Sequence, residues 1–300
     1  MRLLVLVWSL LLFVTCTEKP SNTHTLTNLE LQILDSIHHH EGEFAVAFQC
    51  LDSASNAIFI NKSTIFHAAS TIKTPVMIEV FKQAKAGNLK LNDSLTVTNK
   101  FQSIVDSSWY ELGSGDDSEH GLYQTVGEKV SIGYLVEAMI TESSNLANNL
   151  LIDHLGAEHI TQSMVDLGAG DMQILRGVED LKAYEKGLNN TTSARSLLVI
   201  FEKLANGKVV SNEASNEMIE VLKRQKYNDV IPALLPETVV VAHKTGSISH
   251  VHHDSGIVFL PDGRKYVLVL LSKDLKDFDD GTRLLQNISK MVYDYMMQGS

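Results

Sequence analysis

The sequence predicts an α+β fold, in which an antiparallel sheet is built from both chain ends and packs against terminal helices beside an all-helical lobe. Two observations predict this class. Stretches of strand character lie near residues 43–60 and again near 239–272, whereas apolar residues recur at helical spacing between them. The strands close most simply into one sheet, so the helical segment, about 70–210, forms a second lobe. A cleft between the lobes is the natural place for a site.

The first elements follow in order along the chain. Apolar side chains at helical spacing predict a helix over 28–40. Apolar runs at 43–48 and 57–60 predict two strands, and the turn-forming cluster at 52–56 joins them as an antiparallel hairpin. The next apolar stretch predicts a helix over 70–86 with one buried face.

The remaining elements are predicted in the same way. Residues 87–130 contain acidic and glycine-rich stretches, which predict a long loop. Helical spacing then predicts further helices over 131–140, 145–155, 158–167, 192–205 and 212–224. The last elements are three strands and a helix, over 239–242, 256–260, 266–272 and 281–297, with a hairpin turn at 261–264.

Composition excludes some classes of function. The chain has 300 residues, 44% of them hydrophobic, and a formal net charge of −11. An acidic chain without a basic segment is not suited to phosphate contacts, so we expect no nucleic-acid partner. The length is sufficient for a sizeable core, and we expect one catalytic domain over 28–300, acting as a monomer.

The amino-terminal residues have the character of an export signal. One basic residue precedes a run of almost wholly apolar residues that is too short to span a bilayer. We predict a signal peptide over 1–16, a polar tether over 17–27, and a protein exported to the periplasm or anchored at the cell envelope. Val14-Thr15-Cys16 resembles a bacterial lipoprotein cleavage site, so lipid is expected on Cys16, with ordinary cleavage slightly later as the alternative. Cys50 is then a buried thiol.

Three short motifs carry the candidate chemistry. Ser70 and Lys73 form S-x-x-K; a serine hydroxyl needs a base, and an amine three residues along a helix lies on the same face. Ser143-Ser144-Asn145 joins two predicted helices, and Lys244-Thr245-Gly246 ends a valine-rich strand. Alone, each motif is ordinary, as a surface helix, a helix cap or a strand-end turn. Their joint order, each on the expected type of element, makes coincidence a poor explanation.

With these residues in this order, the chain resembles the serine β-lactamase and penicillin-binding superfamily, most closely the class A β-lactamases, whose signature is S-x-x-K, S-D-N and K-T-G. The resemblance implies that Ser70 is the nucleophile, Lys73 its base and Ser143 the proton donor to the leaving nitrogen. It places the substrate against Asn145, Lys244, Thr245, Gly246 and Ser247. It implies no cofactor and no metal.

Physical chemistry supports these implied roles. The backbone N–H groups of Ser70 and Ser247 would form an oxyanion hole for the tetrahedral intermediate. The positive charge of Lys244 would lower the pKa of Lys73 and so favour the neutral amine. The hydroxyls of Thr245 and Ser247, with the charge of Lys244, would bind a substrate carboxylate.

Deacylation is where the sequence leaves two alternatives open. Class A enzymes carry an Ω-loop with Glu-x-x-Leu-Asn, whose glutamate orients the hydrolytic water. Glu185 fits that string, but it lies only six residues before Thr191. Glu179 lies twelve residues before Thr191, close to the family spacing, but lacks Leu-Asn at the right offset. We favour Glu179 on position and keep Glu185 as the alternative; if neither acts, the acyl-enzyme would persist.

Other departures from the family pattern bear on the site. Ser144 replaces the usual Asp, which removes a carboxylate that normally braces the helical lobe. Asp254 lies in the segment where many class A enzymes carry an arginine that helps to bind the substrate carboxylate. Trp109 and Tyr110 are either an aromatic wall of the cleft or part of the loop packing.

The histidine-rich segment 249–254 invites a zinc hypothesis, because histidine and aspartate are common ligands. It joins two predicted strands, and the sequence shows no second cluster of ligands. We therefore expect exposed loop histidines and no metal.

The leading interpretation is hydrolysis of a β-lactam through an acyl-serine intermediate. The nearest rival is a peptidase, amidase or esterase of the same fold that acts on cell-wall peptide or another acyl substrate. A third interpretation, from a different class, is a binding protein or sensor that is acylated without turnover.

Overall fold

The structure, a computed structural model, describes residues 25–53 and 55–298. The predicted signal peptide, Cys16 and residues 17–24 of the predicted tether lie outside the described residues. The strands are β1 (Glu43–Cys50), β2 (Ala57–Ile60), β3 (Phe66–His67), β4 (Ser94–Thr96), β5 (Phe101–Gln102), β6 (Trp109–Tyr110), β7 (Lys129–Ser131), β8 (Thr191–Thr192), β9 (Val240–Ile248), β10 (Val251–Phe259) and β11 (Lys265–Lys273).

The α-helices fill the middle of the chain and flank the sheet. They are α1 (Leu26–His38), α2 (Lys73–Ala86), α3 (Ile132–Thr141), α4 (Asn145–Leu155), α5 (Ala157–Asp166), α6 (Leu181–Glu185), α7 (Ala194–Ala205), α8 (Asn212–Leu222) and α9 (Phe278–Gln298). Within residues 25–298, Ala54 aside, none of these helices combines the length and the apolar character needed to cross a membrane.

The predicted α+β class is confirmed. One five-stranded antiparallel sheet has the order β2-β1-β11-β10-β9, so strands from the two ends of the chain lie side by side. Short pairs, β3 with β8, β4 with β7 and β5 with β6, tie the intervening loops together. The sheet positions one wall of the cleft, and the helical segment positions the other.

Both faces of the sheet are buried, which explains the long apolar runs of its strands. In β1, Phe44, Val46 and Phe48 point to a core shared with α1 and α9. The alternating Ala45 and Ala47 point to a second core shared with the helical segment, where their small side chains allow α7 to approach the sheet.

Helix ends are fixed by side-chain caps that satisfy free backbone N–H groups. Helix α1 begins at Leu26, two residues earlier than predicted, because the Thr25 hydroxyl accepts from the N–H of Asn28 at 3.2 Å. Ser hydroxyls cap α3, α4, α7 and α8 in the same way, from Ser131, Ser144, Ser193 and Ser211.

The expectation of exposed loop histidines is wrong for two of the three. Strands β9 and β10 are longer than predicted and meet in a tight turn, where only His250 stays exposed. His252 and His253 are buried inside β10. The imidazole of His253 accepts from the N–H of Ser272 at 3.2 Å and donates to the carbonyl of His67 at 2.9 Å. These hydrogen bonds make polar side chains compatible with a buried strand, which the apolar pattern does not reveal.

Candidate active site

Ser70 lies in a short 3₁₀ turn, Ala69–Ile72, that leads directly into α2. Ala69, just before it, has a φ of 46°, a left-handed conformation that costs energy for a residue with a side chain. A Cβ on Gly246 of β9 would lie 3.1 Å from the backbone nitrogen of Ser70. The glycine of the third motif therefore lets the strand pass close against the turn that carries the first.

Lys73 is fully buried at the start of α2 and surrounded by acceptors. Its Nζ donates to Ser70 Oγ at 3.0 Å, to Ser143 O at 2.6 Å and to Asn145 Oδ1 at 2.8 Å. Ser143 Oγ also lies 3.1 Å from Lys73 Nζ. Lys73 contacts Ser70 from the protein interior. Ser70 is only partly buried, so its other side is open to the cleft.

The environment of Lys73 favours its neutral form. Burial lowers the pKa of Lys73 from 10.5 to about 7, while the charges of Asp117 and Glu179 oppose that change. We expected the charge of Lys244 to lower the pKa of Lys73, but burial is the main cause. Lys244 is itself fully buried, and its pKa is held well below 10.5, first by burial and then by the charge of Lys73.

Ser143 is the point at which the two lysines meet. Lys244 Nζ donates to Ser143 Oγ at 3.0 Å and to its own neighbour Thr245 O at 3.0 Å. Lys73 Nζ also lies 3.1 Å from this hydroxyl, so Ser143 Oγ is within hydrogen-bonding distance of both amines. Ser143 has a φ of 58°, a second strained residue at the site.

Asn145 links Lys73 with Glu179. Its Oδ1 accepts from Lys73, and its Nδ2 donates to Glu179 Oε1 at 2.9 Å. Glu179 is half-buried, has a φ of 63° and lines the same cleft as Ser70. Burial raises the pKa of Glu179 above 4.5, and the hydrogen bond from Asn145 opposes that change. Glu179 and Ser70 thus line one cleft.

The structure does not bring Glu185 to the cleft. Glu185 is the exposed last residue of α6. The Leu188 and Asn189 that complete its match to the family string instead hold the base of the loop. Arg176 donates to the carbonyl of Leu188 at 2.9 Å and to Asn189 Oδ1 at 3.1 Å.

The cleft has a volume of about 570 Å³ and opens between β9, the turn at Ser70 and the loop at Glu179. Ser247 lies exposed on its rim, whereas Thr245 is buried. The wall beyond Ser70 is formed by His67, Arg176, Leu181, Tyr184 and Asn190.

The aromatic pair of the long loop belongs to the loop packing. Trp109 is exposed, and the ammonium of Lys100 lies 4.8 Å from the centre of its ring. Tyr110 packs on Phe101 and donates to the carbonyl of Val178 at 3.4 Å. Tyr110 therefore supports the loop before Glu179 from behind.

Sequence reasoning missed two residues that hold the site. Asn149 donates to the carbonyl of Val178 at 2.9 Å and accepts from its N–H at 2.7 Å, which fixes the backbone just before Glu179. Its spacing was a usable signal, since it lies one helical turn after Asn145 on the same face of α4. The second, Asp117, comes from the long loop and contacts the start of α4.

Asp254 is a buried residue of β10, the strand beside β9, and its carboxylate pairs with His243. Its carboxylate lies 2.9 Å and 3.0 Å from His243 Nδ1 and accepts from the N–H of Ile231 at 3.0 Å. The other histidine nitrogen lies 3.1 Å from Asn228 Oδ1. Where the sequence pointed to a missing arginine, the structure thus has a buried pair that braces the strand carrying Lys244.

Across residues 25–298, Ala54 excepted, no three or more His, Cys, Asp or Glu side chains are grouped so that they would hold a metal ion. The histidines of β10 are engaged within the fold. His252 lies 2.8 Å from Thr282 Oγ1 and stacks on Phe278.

Comparison with known proteins gives a consistent result. The family model described as the Beta-lactamase enzyme family matches residues 28–296. A β-lactamase of Bacteroides uniformis is 26% identical over 56% of this chain, and the chain spans 60% of that relative's length. β-Lactamase VEB-1 of Pseudomonas aeruginosa is 20% identical over 99% of both chains.

Solved structures agree with the fold. A mutant of PBP-A, described as an acyl-enzyme complex with penicillin-G, superposes with a TM-score of 0.79 and 29% identity. The match covers 91% of this chain and 97% of that one.

Proposed function

The chain belongs to the beta-lactamase enzyme family, and from that premise we propose that it hydrolyses β-lactams through an acyl-serine intermediate on Ser70, by a class A mechanism. The observation that carries the proposal is the 3.0 Å contact between Lys73 Nζ and Ser70 Oγ, made by a lysine whose pKa is lowered to about 7. With that pKa, a large fraction of Lys73 is the neutral amine at neutral pH, and the amine lies within hydrogen-bonding distance of the hydroxyl whose proton it takes.

Acylation begins when neutral Lys73 takes the proton of Ser70 and Oγ attacks the lactam carbonyl carbon. The backbone N–H groups of Ser70 and Ser247 stabilise the oxyanion of the tetrahedral intermediate. The C–N bond of the ring then breaks, and the Ser143 hydroxyl gives its proton to the leaving nitrogen. Lys73, 3.1 Å from Ser143 Oγ, returns the proton that it took.

The remaining groups orient the substrate. Asn145 binds the substrate amide, which requires it to share its contacts with Lys73 and Glu179. Thr245 and Ser247 bind the substrate carboxylate, and the charge of Lys244 attracts it, with Gly246 keeping the strand close to Ser70. Asp254 and His243 brace this strand. Asp254 lies in the segment where many class A enzymes have an arginine that helps to bind the substrate carboxylate.

Deacylation uses Glu179. Its carboxylate takes a proton from a water in the cleft while the water oxygen attacks the ester carbon. The bond between that carbon and Ser70 Oγ then breaks, and the proton held by Glu179 is returned to Oγ, which frees Ser70 and leaves the product as a carboxylic acid. This assignment is supported by the position of Glu179 in the cleft and by its hydrogen bond from Asn145. The exposed position of Glu185 argues against the alternative.

A chromogenic cephalosporin tests the proposal, with intact-protein mass measured in the same samples. The wild-type protein should turn over the cephalosporin, and Ser70→Ala should abolish both turnover and the covalent adduct. Glu179→Gln should accumulate the adduct, while the matched control Glu185→Gln should behave as wild type. Neither adduct nor turnover in the wild type would refute the function. A stable wild-type adduct without turnover would instead favour the peptidase, amidase or esterase of the same fold, or the sensor that is acylated without turnover.

Cellular placement is proposed from sequence alone. The apolar run before Cys16 supports export, to the periplasm or to a lipid anchor on that cysteine. The mass of the mature amino terminus, compared between wild type and Cys16→Ser expressed in a bacterial host, tests the anchor. A monomer is proposed as well, and sedimentation of the mature protein tests it.

A further inference from the structure

The start of α4 receives a carboxylate from a distant part of the chain. Asp117 lies in the loop between α2 and α3 and is only 4% exposed. Its two oxygens accept from the N–H of Asn145 at 3.0 and 2.9 Å, and one of them also accepts from the N–H of Leu146 at 3.0 Å. These are the first two residues of the helix, whose N–H groups have no partner within it.

The carboxylate of Asp117 is itself held in place. Tyr123 donates its hydroxyl to Asp117 Oδ2 at 2.9 Å, and the N–H of Glu119 points to Oδ1 at 3.3 Å. Ser144 Oγ lies 3.5 Å from Oδ2 and accepts from the N–H of Ala147 at 3.2 Å. Asp117 and Ser144 thus divide the capping of α4 between them.

We propose that Asp117 is a positioning residue of the active site, which fixes Ser143 and Asn145 against Lys73 by capping the helix that begins at Asn145. The proposal rests on the proposed function for its kinetic readout. The segment needs such a restraint, because Ser143 is held in a left-handed conformation and Asn145 must keep its side chain between Lys73 and Glu179.

The charge of Asp117 also acts on the reacting groups. It raises the pKa of Lys73 against the larger effect of burial, and it raises the pKa of Glu179. The charged groups that face Lys73 are Asp117, Glu179 and Lys244, which come from three different segments of the chain. Removal of the Asp117 charge therefore lowers both pKa values, and the acid limb of the pH profile should move to lower pH.

The direct test is Asp117→Asn. We expect kcat/KM for a chromogenic cephalosporin at pH 7 to fall roughly tenfold to a hundredfold, mainly in kcat, because displaced groups react poorly. The decisive variant combines Asp117→Asn with Ser144→Asp. It moves the carboxylate from the loop to the residue just before α4. Aspartate is a strong helix cap, so this double variant should regain most of the lost rate and return the acid limb toward wild type.

Ser144→Asp alone should lower the rate, whereas the same substitution raises the rate in the Asp117→Asn background. The single variant places a second carboxylate next to that of Asp117 at the start of α4, where the two charges repel, and should also lower the melting temperature. The matched control is Glu119→Gln, a buried carboxylate of the same loop that accepts from the N–H groups of Gly121 and Leu122. It should leave the acid limb unmoved.

An Asp117→Asn variant within twofold of wild type would overturn the proposal. So would a double variant no better than Asp117→Asn, including the case in which the single variant does not fold. Failure of the proposed function is a separate outcome, visible as a wild type without turnover. The ¹³Cε NMR resonance of Lys73, assigned with Lys73→Arg, then gives the readout: its titration midpoint should fall in Asp117→Asn and recover in the double variant, and an unchanged midpoint would overturn the proposal.

Discussion

The protonation of Lys73 should set the pH dependence of acylation. With a pKa of about 7, roughly half of the lysine is neutral at pH 7 and about 1% at pH 5. An ordinary lysine of pKa 10.5 would be neutral in only about one molecule in 3,000 at pH 7, since 10.5 − 7 is a difference of 3.5 in pKa. We therefore expect the acylation rate to fall about fiftyfold between pH 7 and pH 5.

The assay is single-turnover acylation by stopped flow, from pH 5 to pH 9. The Glu179→Gln background removes deacylation from the signal and also removes the carboxylate that would contribute its own acid limb. Because the charge of Glu179 raises the pKa of Lys73, the limb should lie at lower pH in this background than in the wild type. Lys73→Arg should abolish acylation and, with it, the acid limb of the pH profile, because a guanidinium does not lose its proton in this pH range. The control is Lys82→Arg on the same helix, where Lys82 Nζ donates to Ser163 Oγ at 2.7 Å, away from the site.

Two results would refute the reasoning. One is a flat profile from pH 5 to pH 9, and the other is a limb that survives in Lys73→Arg. If the limb is present in the wild type and vanishes in Glu179→Gln, the carboxylate and not the lysine is the acylation base.

Three further predictions concern the frame around the site. Gly246→Ala should lower the acylation rate more than tenfold, because the new methyl group would press on the backbone of the turn that carries Ser70; an unchanged rate in the same stopped-flow assay would contradict this. Asp254→Ala should destabilise the protein by about 3–5 kcal/mol in urea unfolding, since His243 loses its buried partner, and a cost below about 1 kcal/mol would show that the pair is not coupled. Asn149→Leu should slow deacylation more than acylation, seen as adduct accumulation by intact mass, whereas equal slowing of both steps would contradict its role at the loop.

The fold was predictable because its signals are local and periodic. The apolar run of β1 and the apolar spacing of the helices appear in the sequence, and so do the S-x-x-K, Ser-Ser-Asn and Lys-Thr-Gly motifs that the fold brings together around Lys73. Histidines inside β10 were misjudged, because their burial depends on partners such as Ser272 and His67 that are far away in sequence.

Of the missed contacts, those of Asn149 had a signal in its helical spacing, whereas those of Asp117 have no local signature. Asp117 lies in a loop without periodicity, 28 residues before Asn145, and nothing in its neighbours indicates which helix it caps. The cause of the lowered pKa of Lys73 was misassigned for a related reason. A sequence shows that two lysines are present, but the degree of burial, which dominates here, follows only from the packed structure.

The pairing of β1 with β11 has a consequence for how the chain reaches this state. Val46 lies opposite Leu270, so the central part of the sheet joins segments separated by most of the chain. Such long-range pairing makes folding slow, because a large loop must close before the contacts form. During synthesis β1 has its β2 partner but not its β11 partner, so the sheet cannot be completed until residues 265–273 have been made. A chain that stops before that point has no completed sheet on which to assemble the second wall of the cleft.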